Sequence, residues 1–138
     1  KRARSFAEAL GLPLAIVDKR RPAANVAEVV NIIGKVDGKT AVIFDDMIDT
    51  AGTITNAAKA VFEHGATAVL ACCTHGVFSG GARHRLSEAP IDKIVVTDTI
   101  PQTNNAPLTN VMVLSVAGLI AEAINRVHTH RSVSEMFR

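Results

Sequence analysis

The residues best able to do chemistry are concentrated in AVIFDDMIDTAGTIT, residues 41–55. An apolar run ends at Phe44, and Asp45, Asp46 and Asp49 then crowd into five positions. Thr50, Ala51, Gly52 and Thr53 follow, and helical spacing begins. A strand that passes through a short loop into a helix aims several backbone N–H groups at one spot, and the helix N-terminus adds partial positive charge. Gly52 allows close backbone approach to a ligand, while Thr50 and Thr53 supply hydroxyl donors. The combination is a cradle for a phosphate monoester. Ionised Asp45 and Asp46 only accept hydrogen bonds, so they suit sugar hydroxyls or a Mg²⁺ ion. A plainer alternative makes Asp49 a helix cap and the other two aspartates solvated loop residues. Three carboxylates at a strand's carboxyl end, set against a phosphate-type turn, weigh against it.

The flanking elements must hold this cradle in place. Residues 1–10 put Ala3, Phe6, Ala7 and Leu10 on one helical face, and Gly11 stops the helix. LPLAIV at 12–17 reads as a buried strand and 18–25 as a polar loop. VVNII at 29–33 and TAVIF at 40–44 are β-branched runs joined by GKVDGK, which predicts a β-hairpin at about 29–44. Residues 53–65 carry a helical stripe closed by Gly65. AVLACC at 68–73, KIVVT at 93–97 and VMVL at 111–114 are short apolar strands. Ser79 is placed to cap a helix between the first two, and a last helix runs from about Val116 to His128. Strands apolar throughout that alternate with helices predict an α/β fold of three layers. In it a mostly parallel sheet has helices on both faces and binds ligands at the strands' carboxyl ends.

Composition narrows the field. With 138 residues, 48% of them apolar, the chain suits a single domain over 1–138. Five Phe, no Tyr and no Trp speak against an aromatic base-stacking platform, and a net charge of +2 demands neither nucleic acid nor membrane. No apolar stretch is long enough for a membrane span, and no signal-peptide pattern stands out. The neighbouring Cys72 and Cys73 make a poor disulfide framework; they face opposite sides of a strand and read as packing residues. His75, just past a strand end, reads as a turn or site-wall residue, and His64, His84, His128 and His130 as surface residues. Six basic residues against two acidic ones in residues 1–21 hint at an anionic ligand near the start of the chain.

Residues 41–55 resemble the phosphoribosyl-binding motif of type I phosphoribosyltransferases, where an apolar strand precedes two acids and then Asp-Thr-x-Gly-Thr. The resemblance implies that Asp45 and Asp46 bind ribose hydroxyls and that Asp49, Thr50, Ala51, Gly52 and Thr53 wrap the 5-phosphate. The flanks narrow the likeness. Asp18-Lys19-Arg20-Arg21-Pro22 with Asn25 to Val29, Cys73-Thr74-His75-Gly76 with Ser79-Gly80, and Arg131-Ser132-Val133-Ser134 with Phe137 resemble the ribose-phosphate pyrophosphokinase family. That family transfers the diphosphoryl group of ATP to the 1-hydroxyl of ribose 5-phosphate, with Mg²⁺. The resemblance implies catalytic roles for Lys19, a point charge, and Arg21, a planar fork for phosphate oxygens. It also implies a regulatory contribution from Ser132, Ser134 and Phe137, although Glu135 beside them would repel an anion.

Three departures stand out: Gly81 where the family usually has Pro, Asp98 where Asn is common, and Glu135 in place of an aromatic residue. The family's chain is about twice the usual single-domain length, as two similar halves. The expectation is therefore a C-terminal half, cut just before Lys1, with ATP-binding residues and the main Mg²⁺ ligands in the first half. Such a half is expected to be inactive alone. The full-length protein is expected to be cytoplasmic and to assemble as homo-oligomers, dimers packed into hexamers. A phosphoribosyltransferase using the same motif, or a non-catalytic regulatory paralogue, are the alternative readings.

Overall fold

The computed structural model describes residues 2–20, 29–102 and 108–137. Helix α1 (Arg2–Leu10) ends at Gly11, whose φ of +63° suits a residue without a side chain. Two strands, β1 (Ile16–Arg20) and β2 (Val29–Ile33), then form an antiparallel ribbon, with Ile16 opposite Ile33 and Arg20 opposite Val29. Four strands follow, β3 (Thr40–Ile48), β4 (Ala68–Gly76), β5 (Lys93–Thr97) and β6 (Val111–Leu114). They lie side by side in that order and are parallel throughout. Helix α2 (Gly52–Glu63) links β3 to β4, and α3 (Ala82–Glu88) links β4 to β5. After β6 come α4 (Ala117–His128) and a 3₁₀ turn, Ser134–Phe137.

The core lies between this sheet and α2 with α3. Ile54, Ala58 and Val61 of α2 and Ala82 and Leu86 of α3 pack with Val69, Ala71, Cys73, Ile94 and Val96 of the central strands. Ile43 joins that cluster, so the next residue, Phe44, points to the reverse face. There Phe6 of α1 lies against it, with ring centroids 4.2 Å apart. Helices thus flank the parallel sheet on both faces.

The antiparallel hairpin exists, but its strands are not the expected ones. Residues 29–33 pair with 16–20, while 40–44 pair in parallel with β4. TAVIF is apolar on both faces and joins the parallel sheet as its edge strand among the described residues. VVNII carries the exposed Asn31 and suits a ribbon with one face in water. The strand expected at 12–17 begins only at Ile16, because Pro13 cannot donate to a ladder, and it continues into the polar Asp18–Arg20. Ser79 does not cap α3. The helix opens at Gly81 with no side-chain cap, and the Ser79 carbonyl accepts the Ala82 N–H at 3.1 Å. His75 lies within β4 rather than beyond it.

Candidate functional site

Strand β3 runs past Phe44, so Asp45 and Asp46 sit in its last turns of pleat. Ile48, 2% exposed, anchors the strand's end in the core. The chain then bends through Asp49 and Thr50 to Ala51, which adopts φ 65°, ψ 0° at the N-cap of α2. A left-handed alanine costs about 1–2 kcal/mol, and tight burial at 5% exposure holds it there. Asp49 therefore makes no side-chain cap. The first i→i−4 bond of α2 runs from the Thr55 N–H to the Ala51 carbonyl at 3.0 Å, and Thr55 Oγ1 donates to the same oxygen at 2.9 Å. The N–H groups of Gly52, Thr53 and Ile54 precede that bond and lie at the positive end of the helix.

These residues enclose a cavity of about 140 Å³ lined by Asp45 and residues 47–54. A Cβ built on Gly52 would meet nothing within 4 Å, so open space lies directly over the backbone there. The turn after β4 is stitched to the same loop. The Ile48 carbonyl accepts the N–H groups of Val77 and Phe78, each at 3.0 Å, and the Asp49 carbonyl accepts that of Ser79 at 3.1 Å. From α3, Arg85 Nη1 donates to the Thr50 carbonyl at 2.7 Å. A second cavity of about 360 Å³, between α1, β3 and α2, has a mainly apolar wall and shares Asp45, Thr53 and Ile54 with the first.

Arg2 Nη2 donates to Asp46 Oδ2 at 2.7 Å, and its other terminal nitrogen lies 4.0 Å from Asp45 Oδ1. The side-chain hydrogen bond shared with Asp45, followed by weaker contributions including the Arg2 charge, holds the Asp46 carboxyl below the usual carboxylate range. Part of the N-terminal basic charge thus faces these carboxylates. Nothing local in the sequence signals that contact, because packing of Phe6 on Phe44 creates it across 44 positions. Arg85, 35 positions from Thr50, was equally invisible.

His75 Nδ1 meets Thr99 Oγ1 at 2.9 Å, and the Thr97 and Thr99 hydroxyls both donate to the Thr74 carbonyl, at 2.7 and 3.1 Å. This ties the ends of β4 and β5 together. Burial raises both thiols, Cys73 to about 11, which fits packing rather than reactivity. Asp98 Oδ1 accepts the Val116 N–H at 2.9 Å; an Asn oxygen could do the same, so that departure leaves the bond intact. A Cβ on Gly81 would stand 3.6 Å from the Arg85 guanidinium, an ordinary contact.

Lys19 is placed by its backbone in β1, opposite Val30, while Arg21 and the loop through Glu28 lie outside the described residues. In the tail, Ser132 Oγ and Ser134 Oγ are 2.8 Å apart. Arg126 donates to the Ser132 carbonyl at 2.9 Å and to Glu135 at 3.3 Å, and Phe137 is exposed. Arg126 thereby offsets the Glu135 charge next to the two serines. Among the described residues no group of three or more His, Cys, Asp and Glu side chains gathers as a metal site, and no helix is long and apolar enough to cross a membrane.

A sequence profile of the phosphoribosyl synthetase-associated domain matches residues 21–138. A ribose-phosphate pyrophosphokinase of Caldanaerobacter subterraneus subsp. tengcongensis is 58% identical over 136 residues, covering 99% of this chain and 43% of the relative. One from Halalkalibacterium halodurans is 56% identical over the same shares. Among solved structures, phosphoribosylpyrophosphate synthetase from Mycobacterium smegmatis superposes with a TM-score of 0.83 at 38% identity, covering 94% of this chain and 42% of that one. The chain thus spans 43% of the length of the curated relatives it matches.

Proposed function

The chain belongs to the phosphoribosyl synthetase-associated domain family, and on that premise we propose that it is the ribose 5-phosphate-binding portion of a ribose-phosphate pyrophosphokinase. The observation that carries this reading is the cradle at residues 45–53. Asp45 and Asp49 line a hollow of about 140 Å³ onto which the first turn of a helix opens, and Asp46 lies outside that lining, its N–H on Asp45 Oδ1. The Gly52, Thr53 and Ile54 N–H groups, with the Thr50 and Thr53 hydroxyls, hold the 5-phosphate. Asp45 and Asp46 accept from the ribose hydroxyls, which fixes the sugar and presents its 1-hydroxyl.

In the full-length enzyme that hydroxyl oxygen attacks the β-phosphorus of ATP. The new O–P bond forms as the bond to the α-phosphate breaks, AMP leaves and the hydroxyl proton is lost. Positioning and charge stabilisation dominate such a transfer. Lys19, whose backbone lies in β1, and Arg21, outside the described residues, supply cations to the transferred group. Mg²⁺, when bound, offsets phosphate charge; the hard oxygens of Asp45 and Asp46 fit it, and its main ligands belong to the part of the relatives that this sequence does not span. ATP-binding residues belong there too, so the 138-residue chain alone makes no phosphoribosyl diphosphate. Homo-oligomeric assembly, dimers into a hexamer, and a cytoplasmic location complete the reading. Supporting assembly, Leu119, Ile120, Ile124 and Val127 form an exposed apolar surface on α4, of the kind that subunit contacts cover.

Calorimetric titration of the chain with ribose 5-phosphate, and separately with ribose, tests the binding claim. Saturable binding of the phosphate ester, with weaker binding of ribose, is expected. Equal or absent binding of both sinks it.

A further inference from the structure

We propose that Arg85 is a positioning residue for the phosphate cradle, acting through the Thr50 carbonyl; this rests on the reading of residues 49–53 as the 5-phosphate site. Arg85 projects from α3 and donates from Nη1 to the Thr50 carbonyl at 2.7 Å. A trans peptide unit is planar, with its carbonyl and N–H pointing in opposite directions. Pinning the Thr50 carbonyl therefore fixes the direction of the Ala51 N–H. Ala51 is the residue held at φ 65°, and it leads directly into Gly52 and Thr53. A left-handed alanine sits in a narrow basin, and rotation of the peptide before it would re-aim the donors that open onto the hollow.

Thr55 Oγ1 holds the Ala51 carbonyl from within α2, and backbone bonds run from the Ile48 and Asp49 carbonyls to residues 77–79. Those bonds fix the loop up to Asp49. Arg85 fixes the next peptide, and it does so with a charged group that also raises the local positive potential for an anion. It is exposed, so its removal leaves the core of α3, Ala82 and Leu86, in place.

The test is calorimetric titration of wild type, Arg85→Ala and Arg85→Lys with ribose 5-phosphate and with ribose, alongside circular dichroism. Arg85→Ala is expected to weaken ribose 5-phosphate binding about tenfold while leaving ribose binding unchanged. Lysine keeps a charged donor, so Arg85→Lys is expected to bind within about threefold of wild type. Unchanged ribose 5-phosphate affinity in Arg85→Ala overturns the proposal, as does a parallel loss for both ligands. A wild type that does not prefer ribose 5-phosphate over ribose instead overturns the underlying site.

Discussion

Asp46 is the side chain on which the sugar-binding claim rests most heavily. Its neighbours hold its carboxyl below the usual range, and it faces solvent and pairs with Arg2. Asp46→Asn keeps the shape but exchanges half of its acceptors for donors. It is expected to weaken ribose 5-phosphate binding about tenfold in calorimetry, with no change in thermal midpoint because the Arg2 pair is exposed. The cysteines behave in the opposite way. With the Cys73 thiol pushed to about 11 and Cys72 also raised, little thiolate exists at pH 8. Iodoacetamide should label the native chain slowly and the urea-unfolded chain fast; equal rates would contradict their role as packing residues. The grouping of Asp45 and residues 49–53 around one hollow was readable in the sequence because they are contiguous. Arg2 and Arg85 were not, since each reaches its partner through tertiary packing.

Among the elements, the β3–loop–α2 unit was readable because strand, loop and helix are contiguous and each local pattern agrees with the fold. The hairpin assignment failed for a complementary reason. Residues 29–33 are flanked by two plausible partners, and the choice depends on which of them the parallel sheet recruits. Two outcomes belong to this scale. Gly52→Ala adds a methyl where no atom lies within 4 Å, at the first position of α2. The thermal midpoint should hold or rise, while ribose 5-phosphate affinity falls as the methyl enters the hollow. The second concerns the start of α4. Asp98 is held below its ordinary range by hydrogen bonds to Ser115 and the Val116 N–H. A depressed carboxyl contributes stability that is present above its unfolded pKa and lost as pH falls through the folded one. Asp98→Asn, which cannot titrate, should therefore lose that contribution at neutral pH and flatten the stability profile below about pH 4 in thermal scans; an unchanged acid limb would contradict this.

At the scale of the molecule, one face of the sheet is fully built and the surface around α4 is not. Composition foresaw a real core, and α2, α3 and the central strands form it. It did not foresee that α4 buries none of its residues, because amphipathic spacing records that a face wants covering, not what covers it. In the full-length enzyme, Ile124→Glu on that face is expected to reduce the assembled mass in sedimentation, and an unchanged mass would remove α4 from the assembly. The central claim, that residues 45–53 hold ribose 5-phosphate, is tested most directly by backbone amide NMR of the 138-residue chain during titration with that ligand. The resonances of Asp49 to Ile54 should shift and saturate together, with smaller changes on adding ribose. No saturable shift, or shifts confined to residues elsewhere in the chain, would contradict it.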